Sequence, residues 1–167
     1  LFRNSKEQIP FSEAVAAFFD AVSGILKDNR SLLDSPVSDR DRKNLVDALG
    51  KAGSTYRNVL YTRGFSGRRR NVTLSALSAF CREALAYTDH TIKANRRHDG
   101  LYHAYNLITV SGGDRISIRR LNEMLEGQVA VLSSGYLKPE ESAELLAALR
   151  KSSLYREDQS TYLLYPD

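Results

Sequence analysis

The sequence predicts an all-α domain in which about five helices pack as an antiparallel bundle or partial helical array, with one or two short extended segments. Three observations predict this class. Apolar residues recur at steps of three and four through most of the 167 residues, which is the spacing of helices that bury one face. Residues typical of helix ends flank these stretches. The connections are short, as antiparallel helical neighbours require.

The first two helices are predicted at about 11–28 and 38–63. In each stretch the apolar residues recur at helical steps and define one buried face. Ser38 is the first residue of the second stretch, and Asp39 and Asp41 follow Ser38. A serine there accepts a hydrogen bond from a free N–H of the first turn, and carboxylates interact favourably with the helix dipole. We therefore expect Ser38 to be the N-cap.

Two glycines, Gly50 and Gly53, lie inside the second predicted helix. Each glycine costs a helix about 1 kcal/mol relative to alanine. Close approach of a neighbouring helix and a local kink would each explain their presence, and the sequence leaves both explanations open.

A third helix is predicted at about 73–95, and the connection before it, 64–71, is predicted to be a loop. The apolar line of this helix passes through Cys81. We interpret Cys81 as a small residue of the core rather than as a reactive thiol, because unpaired cysteines are most often buried.

The segment 101–110 is rich in aromatic and β-branched residues, which favour a short strand or another extended segment, and the sequence leaves open whether it is strand or helix. A turn at 111–114 follows, with Asp114 as the N-cap of a fourth helix that ends at Gly135. The inward-facing residues of this helix are predicted to be Ile118, Leu121, Leu125, Val129 and Leu132.

Pro139 suits the first turn of a fifth helix, where a missing N–H has no consequence. Glu140 and Glu141 are interpreted as first-turn carboxylates rather than as catalytic groups. The core residues of this helix are predicted to be Leu145, Leu146 and Leu149.

Positive charge is concentrated in one segment. The chain carries a net charge of +4, and the segment 63–73 contains four arginines and no acid, so the rest of the chain sums to zero. These arginines are the predicted anion-binding residues: Arg63, Arg68, Arg69 and Arg70. Guanidinium groups match phosphate oxygens in pairs, although a solvated loop that contacts other polypeptide is the simpler interpretation. Nucleic-acid binding is disfavoured because it requires a broader basic face.

A second polar cluster surrounds the end of the third helix. It combines cations, a carboxylate, imidazoles and phenols, and these groups are the predicted ligand-binding residues: Arg96, Arg97, His98, Asp99, Tyr102, His103 and Tyr105. Tyrosine rings stack on sugars, arginine and aspartate bind hydroxyls, and arginine also binds phosphate, so carbohydrate or phosphate is the expected ligand. The alternative is a helix end with dipole-matched cations, followed by a half-buried aromatic segment.

The sequence contains no motif for a nucleotide loop, a dinucleotide fold, a zinc protease or a hydrolase nucleophile. No catalytic residue can be named and no cofactor is predicted. The three histidines, His90, His98 and His103, lack the spacing of a zinc site, so no metal site is predicted. The turn at 111–114 could hold an anion, but a plain turn and cap needs no ligand and is the preferred interpretation.

A single cysteine and the absence of any apolar run of about 20 residues predict a soluble cytoplasmic protein without a membrane partner. The chain begins with Leu1 and ends in the apolar and aromatic segment 162–167. We therefore expect a single domain over 1–167 that is a fragment of a longer chain.

Three segments carry a resemblance to a known class of proteins. They are 95–106 (Asn-Arg-Arg-His-Asp-Gly-Leu-Tyr-His-Ala-Tyr-Asn), 154–159 (Leu-Tyr-Arg-Glu-Asp-Gln) and 162–167 (Tyr-Leu-Leu-Tyr-Pro-Asp). They resemble helical stretches of large bacterial carbohydrate-active proteins, in particular the cellobiose-phosphorylase-like proteins with paired-helix toroids. The resemblance implies an accessory or partial helical domain. It includes no diagnostic catalytic motif, so it assigns no catalytic residue to this chain.

Three functions follow as hypotheses. The first is a non-catalytic helical domain with a structural or interaction role, whose partner is the remainder of a larger, bacterial-type protein. The second is part of a carbohydrate-active enzyme of the glycoside phosphorylase or hydrolase type, contributing to a sugar or phosphate site. The third is nucleic-acid or phosphate binding through the arginine cluster.

Overall fold

The computed structural model describes residues 7–166 and shows a mixed α/β chain, not the all-α fold that the sequence predicts. The described part contains five α-helices and three small antiparallel sheets, with 57% helix and 18% strand, so strands are too frequent for an all-α class. The prediction is wrong because each strand is at most six residues long. Such short alternating stretches are hard to distinguish from helical spacing.

The elements follow one another as β1 (Gln8–Ser12), α1 (Glu13–Asp28), α2 (Asp39–Arg63), β2 (Arg69–Thr73), α3 (Leu74–Ala94), β3 (Asn106–Ser111), β4 (Arg115–Arg120), α4 (Leu125–Ser133), α5 (Pro139–Arg150), β5 (Tyr155–Arg156) and β6 (Thr161–Tyr162). The described residues form two compact units, 7–88 with 112–115, and 89–111 with 116–166. The single domain predicted for the whole chain stays a prediction. Leu1 and Asp167, on which the fragment hypothesis relies, lie outside the described residues.

Three predicted helices, α1, α2 and α3, begin and end within about two residues of their expected limits, and α5 begins where it was expected. Ser38 is the N-cap of α2, and its hydroxyl oxygen accepts a hydrogen bond from the Asp41 N–H at 3.1 Å. Pro139 is the first residue of α5. Strong periodicity together with cap chemistry therefore located the helices correctly.

The fourth predicted helix is wrong over its first half. Residues 115–120 form strand β4, which pairs with β3, and α4 covers only Leu125–Ser133. The turn before β4 contains Gly112 and Gly113 with φ of 60° and 75°, a conformation that glycine adopts without strain. It reverses the chain into a hairpin, so Asp114 is not a helix N-cap.

The predicted inward face of that helix is correct only in part. Leu125 and Leu132 pack against the core of the second unit as predicted. Ile118 lies on β4 and is 41% exposed, and Val129 of α4 is 54% exposed. The fully buried residues of α4, which were not predicted, are Gly127, Gln128 and Val131. In α5, Leu145 and Leu149 are buried as predicted, whereas Leu146 is 50% exposed.

Two expectations for the first unit are also corrected. Cys81 is exposed, whereas its neighbour Phe80 is partly buried and contacts Phe19 of α1. No neighbouring atom lies within 4 Å of a Cβ added to Gly50, and only an arginine side-chain atom lies 4.0 Å from one added to Gly53. Close approach of another helix therefore does not explain these two glycines.

The predicted 64–71 loop is shorter than expected, because Arg69 and Arg70 belong to strand β2. This strand pairs antiparallel with β1, so that Arg70 lies opposite Phe11 and Arg69 lies opposite Ser12. The Glu13 N–H donates to the Arg68 carbonyl at 3.0 Å and extends this pairing to the start of α1. The arginines are thus held beside α1 by backbone hydrogen bonds.

The first unit packs around α1. The buried residues of α1 are Ala16 and Leu26. Phe19 of α1 contacts the Phe80 ring of α3 edge-on, with ring centroids 5.3 Å apart. The Tyr87 hydroxyl of α3 donates to the Leu26 carbonyl at 2.7 Å. These contacts fix one side of α1 against α3.

The second unit has its own apolar core. Six buried residues form it: Leu101, Tyr102, Val131, Leu145, Leu149 and Leu154. Within the part of the chain that the structure describes, no helix is long and apolar enough to cross a membrane.

Candidate functional site

An open cleft of about 930 Å³ lies in the first unit between α1 and α2, and the segment 63–69 closes one end of it. This volume is near the upper end of the range for small-molecule sites. Phe18 of α1 stacks on Tyr56 of α2 with ring centroids 5.2 Å apart, and both residues line the cleft. The cleft is therefore a groove between two helices with an aromatic pair in its wall.

Small side chains explain why the two helices leave this space open. Five alanines line the cleft, at helical spacing on each helix: Ala14, Ala17 and Ala21 on α1, and Ala48 and Ala52 on α2. None of the 25 residues of α2 is fully buried. A long helix with an apolar stripe normally buries that stripe, so α2 has apolar surface left to cover.

Cations surround the end of the cleft that the segment 63–69 forms. Arg63, Arg68 and Arg69 line it, with Glu13 as an acidic neighbour. Arg68 donates to the Glu13 carboxylate at 2.9 Å, which neutralises that pair. Among the described residues, the side chains of Arg63 and Arg69 have neither a hydrogen-bond partner nor an ion-pair partner. This end of the cleft thus carries two uncompensated positive charges.

The fourth predicted anion-binding residue is placed elsewhere. Arg70 forms an ion pair with Asp20 of α1 at 2.6 Å and does not line the cleft. The structure therefore brings together three of the four arginines that the sequence singled out, and places them beside apolar surface. The alanine stripes, Phe18 and Tyr56 were not predicted as site residues. The helical spacing of the alanines was the one sequence signal that could have identified them.

The second predicted site, around residues 96–105, is mainly occupied by contacts within the second unit. Arg97 donates to both carboxylate oxygens of Asp99, at 3.1 Å to Oδ1 and 2.7 Å to Oδ2, and lies 3.2 Å from the Glu123 carboxylate. Arg96 lies 3.7 Å from the Glu144 carboxylate. His98 is exposed. The charged groups of this cluster mostly neutralise one another.

The aromatic members of the same cluster also support the fold. Tyr102 is 4% exposed and belongs to the core. His103 Nδ1 lies 3.3 Å from the Leu121 carbonyl oxygen. The Tyr105 hydroxyl donates to the Glu126 carboxylate at 2.8 Å. His103 and Tyr102 line a smaller hollow of about 230 Å³ beside α4, whereas the other predicted residues do not.

Three pKa shifts, at Asp99 and His103 of this cluster and at the neighbouring Glu123, all make the folded state less stable in acid. The hydrogen bond from Arg97 lowers the pKa of Asp99 below its ordinary 3.8. A backbone hydrogen bond, with help from Ser153 and Arg97, lowers the pKa of Glu123 below 4.5. Burial lowers the pKa of His103 below 6.5. In each case the folded state binds protons less readily than the unfolded chain.

We therefore expect the second unit to lose stability in two steps as the pH falls. The first step begins near the ordinary His103 value of 6.5, as the unfolded state gains a proton that the folded state resists. The second begins below about 4.5, as Glu123 and Asp99 protonate. Urea midpoints against pH should show both steps in the wild type and lack the upper step in His103→Asn. Parallel curves for the two proteins between about pH 7 and 5 would contradict this assignment.

The residues that the structure describes contain no group of three or more histidine, cysteine, aspartate or glutamate side chains placed to hold a metal ion. No protein-family model matches the sequence, and no curated protein matches it significantly.

Proposed function

We propose that this chain is a binding domain for an anionic amphiphile, a molecule with an alkyl-like tail and a phosphate or carboxylate head. The tail lies between α1 and α2, and the head lies against the segment 63–69. The observation that carries the proposal is the combination of an apolar cleft with the unpaired arginines Arg63 and Arg69 at one end.

The length of the cleft supports a tail of moderate size. Its apolar residues on α2 extend from Ala48 to Val59, which is roughly 16 Å at 1.5 Å per residue. An extended chain of about a dozen carbon atoms has a similar length, given C–C bonds of about 1.5 Å. A tail in this position would cover the alanine stripes and the exposed edges of Phe18 and Tyr56, which removes apolar surface from water.

The charge of the closed end supports an anionic head. Guanidinium groups present paired N–H donors that fit carboxylate and phosphate oxygens. Three arginines and one glutamate give this end a net charge of +2. A neutral ligand would gain nothing from these charges, whereas a cationic ligand would be repelled.

The proposal gives a specific form to the predicted non-catalytic, interacting domain of a larger protein. The sugar-site hypothesis at residues 96–105 has less support, because Tyr102 is buried and Arg97 already binds two carboxylates. The resemblance to cellobiose-phosphorylase-like proteins stays a prediction. A cytoplasmic location is part of the proposal, and the exposed unpaired thiol of Cys81 supports it.

The tail site is tested by filling the cleft. Ala52→Phe places a ring between the helices and should weaken binding of dodecyl phosphate at least tenfold in calorimetric titrations below its micelle concentration. Ala79→Phe is the matched control, because Ala79 is an exposed residue of α3 that does not line the cleft. Equal affinity of both variants for dodecyl phosphate would refute the tail site.

The head site is tested by removing charge. The double variant Arg63→Gln with Arg69→Gln should weaken dodecyl phosphate and laurate at least tenfold and leave dodecanol binding unchanged. Arg57→Gln controls for the loss of charge, because Arg57 is exposed on the same helix but lies outside the cleft. If dodecanol binds the wild type as tightly as dodecyl phosphate, the arginines do not recognise the head.

A further inference from the structure

Strands β3 and β4 form a sheet of only two strands. Each strand therefore has one edge whose backbone N–H and C=O groups face away from its partner. Two-stranded hairpins are marginally stable by themselves in water. The β3–β4 hairpin can therefore accept another strand, and a third strand would stabilise it.

The hairpin also exposes apolar side chains on both faces. Successive residues of a strand point to opposite faces, yet all residues from Leu107 to Ser111 are exposed. Ile108 and Val110 are 63% and 58% exposed, and Ile118 on β4 is 41% exposed. Ile116 is the buried exception at 2% and anchors β4.

The direction of the backbone groups on β4 follows from one hydrogen bond. The Leu121 N–H donates to the Tyr105 carbonyl at 3.3 Å, just beyond the hairpin strands. Because N–H groups alternate in direction along a strand, those of Ile118 and Arg120 point away from β3. At Ile118 and Arg120 the outer edge of β4 therefore presents N–H donors that are not paired with β3.

Charge favours one kind of partner at this edge. Strand β4 contains Arg115, Arg119 and Arg120, and neither β3 nor β4 contains an acidic residue. Among the described residues the Arg119 side chain has no partner, and Arg120 donates to the Ala94 carbonyl rather than to a carboxylate. Pairing of β4 with a second copy of itself would bring like charges together, which is unfavourable.

We infer that the outer edge of β4 accepts an extended acidic segment of another protein as a third strand. Backbone hydrogen bonds at Ile118 and Arg120 would provide the pairing. Aliphatic residues of the segment would cover the exposed apolar side chains, and its carboxylates would pair with Arg119. This mode is strand addition, in which the backbone supplies affinity and alternate side chains supply specificity. None of these β4 residues lines the cleft between α1 and α2.

Backbone pairing is tested with a labelled short peptide of alternating valine and glutamate, followed by fluorescence anisotropy. Ile118→Pro removes an outward N–H without removing a hydrogen bond to β3, so peptide binding should fall at least tenfold. Ile118→Thr loses much of the same apolar side chain but keeps the N–H, so it should bind within about threefold of the wild type. Equal losses in both variants would show that only the side chain matters and would overturn strand addition.

Charge recognition is tested by reversal. Arg119→Glu should weaken the acidic peptide and strengthen a matched peptide of alternating valine and lysine. Equal wild-type affinity for the two peptides would overturn the acidic partner. Two further results would contradict the acidic partner and assign the edge of β4 differently. Concentration-dependent dimers that Ile118→Pro abolishes would indicate that a second copy of this chain binds there. Binding to phosphatidylserine vesicles that Arg119→Glu abolishes and Ile118→Pro leaves unchanged would indicate a lipid surface.

Discussion

Replacement of Gln128 by leucine is expected to destabilise the second unit by about 2–6 kcal/mol. Gln128 is fully buried, and its side-chain amide accepts from the Tyr102 N–H at 2.9 Å and donates to the Tyr102 carbonyl at 2.8 Å. Leucine has a similar size but satisfies neither backbone group. Each buried group left without a partner costs about 1–3 kcal/mol.

The position of Gln128 explains why this effect should be large. On one side of Tyr102 the chain pairs with 95–97, since the Arg97 N–H donates to the Leu101 carbonyl and the His103 N–H donates to the Asn95 carbonyl. Tyr102 itself faces the other side, where Gln128 takes the place of a neighbouring strand. One side chain of α4 thus holds an extended segment in the core.

Urea denaturation monitored by circular dichroism measures this effect. Gln159→Leu is the matched control, because it makes the same chemical change at an exposed position of the same unit, and it should change stability by less than about 0.5 kcal/mol. If the two variants were equally stable, the Tyr102 backbone groups would have to find other partners, such as water.

Two glycine-to-alanine substitutions in helices should act in opposite directions. A Cβ on Gly127 would lie 2.9 Å from Ala104 Cβ and 3.1 Å from Ala104 Cα, so Gly127→Ala forces the backbone of the neighbouring segment to move. Overpacking of this kind costs about 1–3 kcal/mol. Gly50→Ala meets nothing within 4 Å and should stabilise α2 by up to about 1 kcal/mol.

Native-state hydrogen exchange measures both effects, because it reports the stability of each unit separately. Protection of the α4 amides should decrease in Gly127→Ala, and protection of the α2 amides should increase in Gly50→Ala. An increase in both variants would mean that the 101–105 segment moves away from α4 without cost, and the packing argument would be wrong.

The helices were predictable because each carries its information locally. The repeat of apolar residues, the Ser38 cap and Pro139 each lie within, or directly next to, the helix that they predict. Strand β4 was missed because Ile118 and Leu121 are three residues apart, which is a helical step, although Ile116 and Ile118 alternate as in a strand. The positive φ of Gly112 and Gly113 decides between the two, and this is a property of the folded backbone.

The two candidate sites were also predictable only in part. The clustering of Arg63, Arg68 and Arg69 was visible in the sequence, but its position beside an apolar cleft depends on the packing of α1 against α2. The role of Tyr102 could not be predicted, because its partner Gln128 is 26 residues away along the chain. Polar and aromatic residues close in sequence resemble a binding site whether they bind a ligand or one another.

The most direct test of the central proposal is an NMR titration with dodecyl phosphate of protein labelled with ¹³C at the alanine methyl groups. The account predicts shifts for the five methyls that line the cleft: Ala14, Ala17, Ala21, Ala48 and Ala52. The exposed methyls of Ala143 and Ala147 on α5 should not move. Absence of shifts in the cleft at saturating ligand, or equal shifts on α5, would show that the space between α1 and α2 is not the binding site.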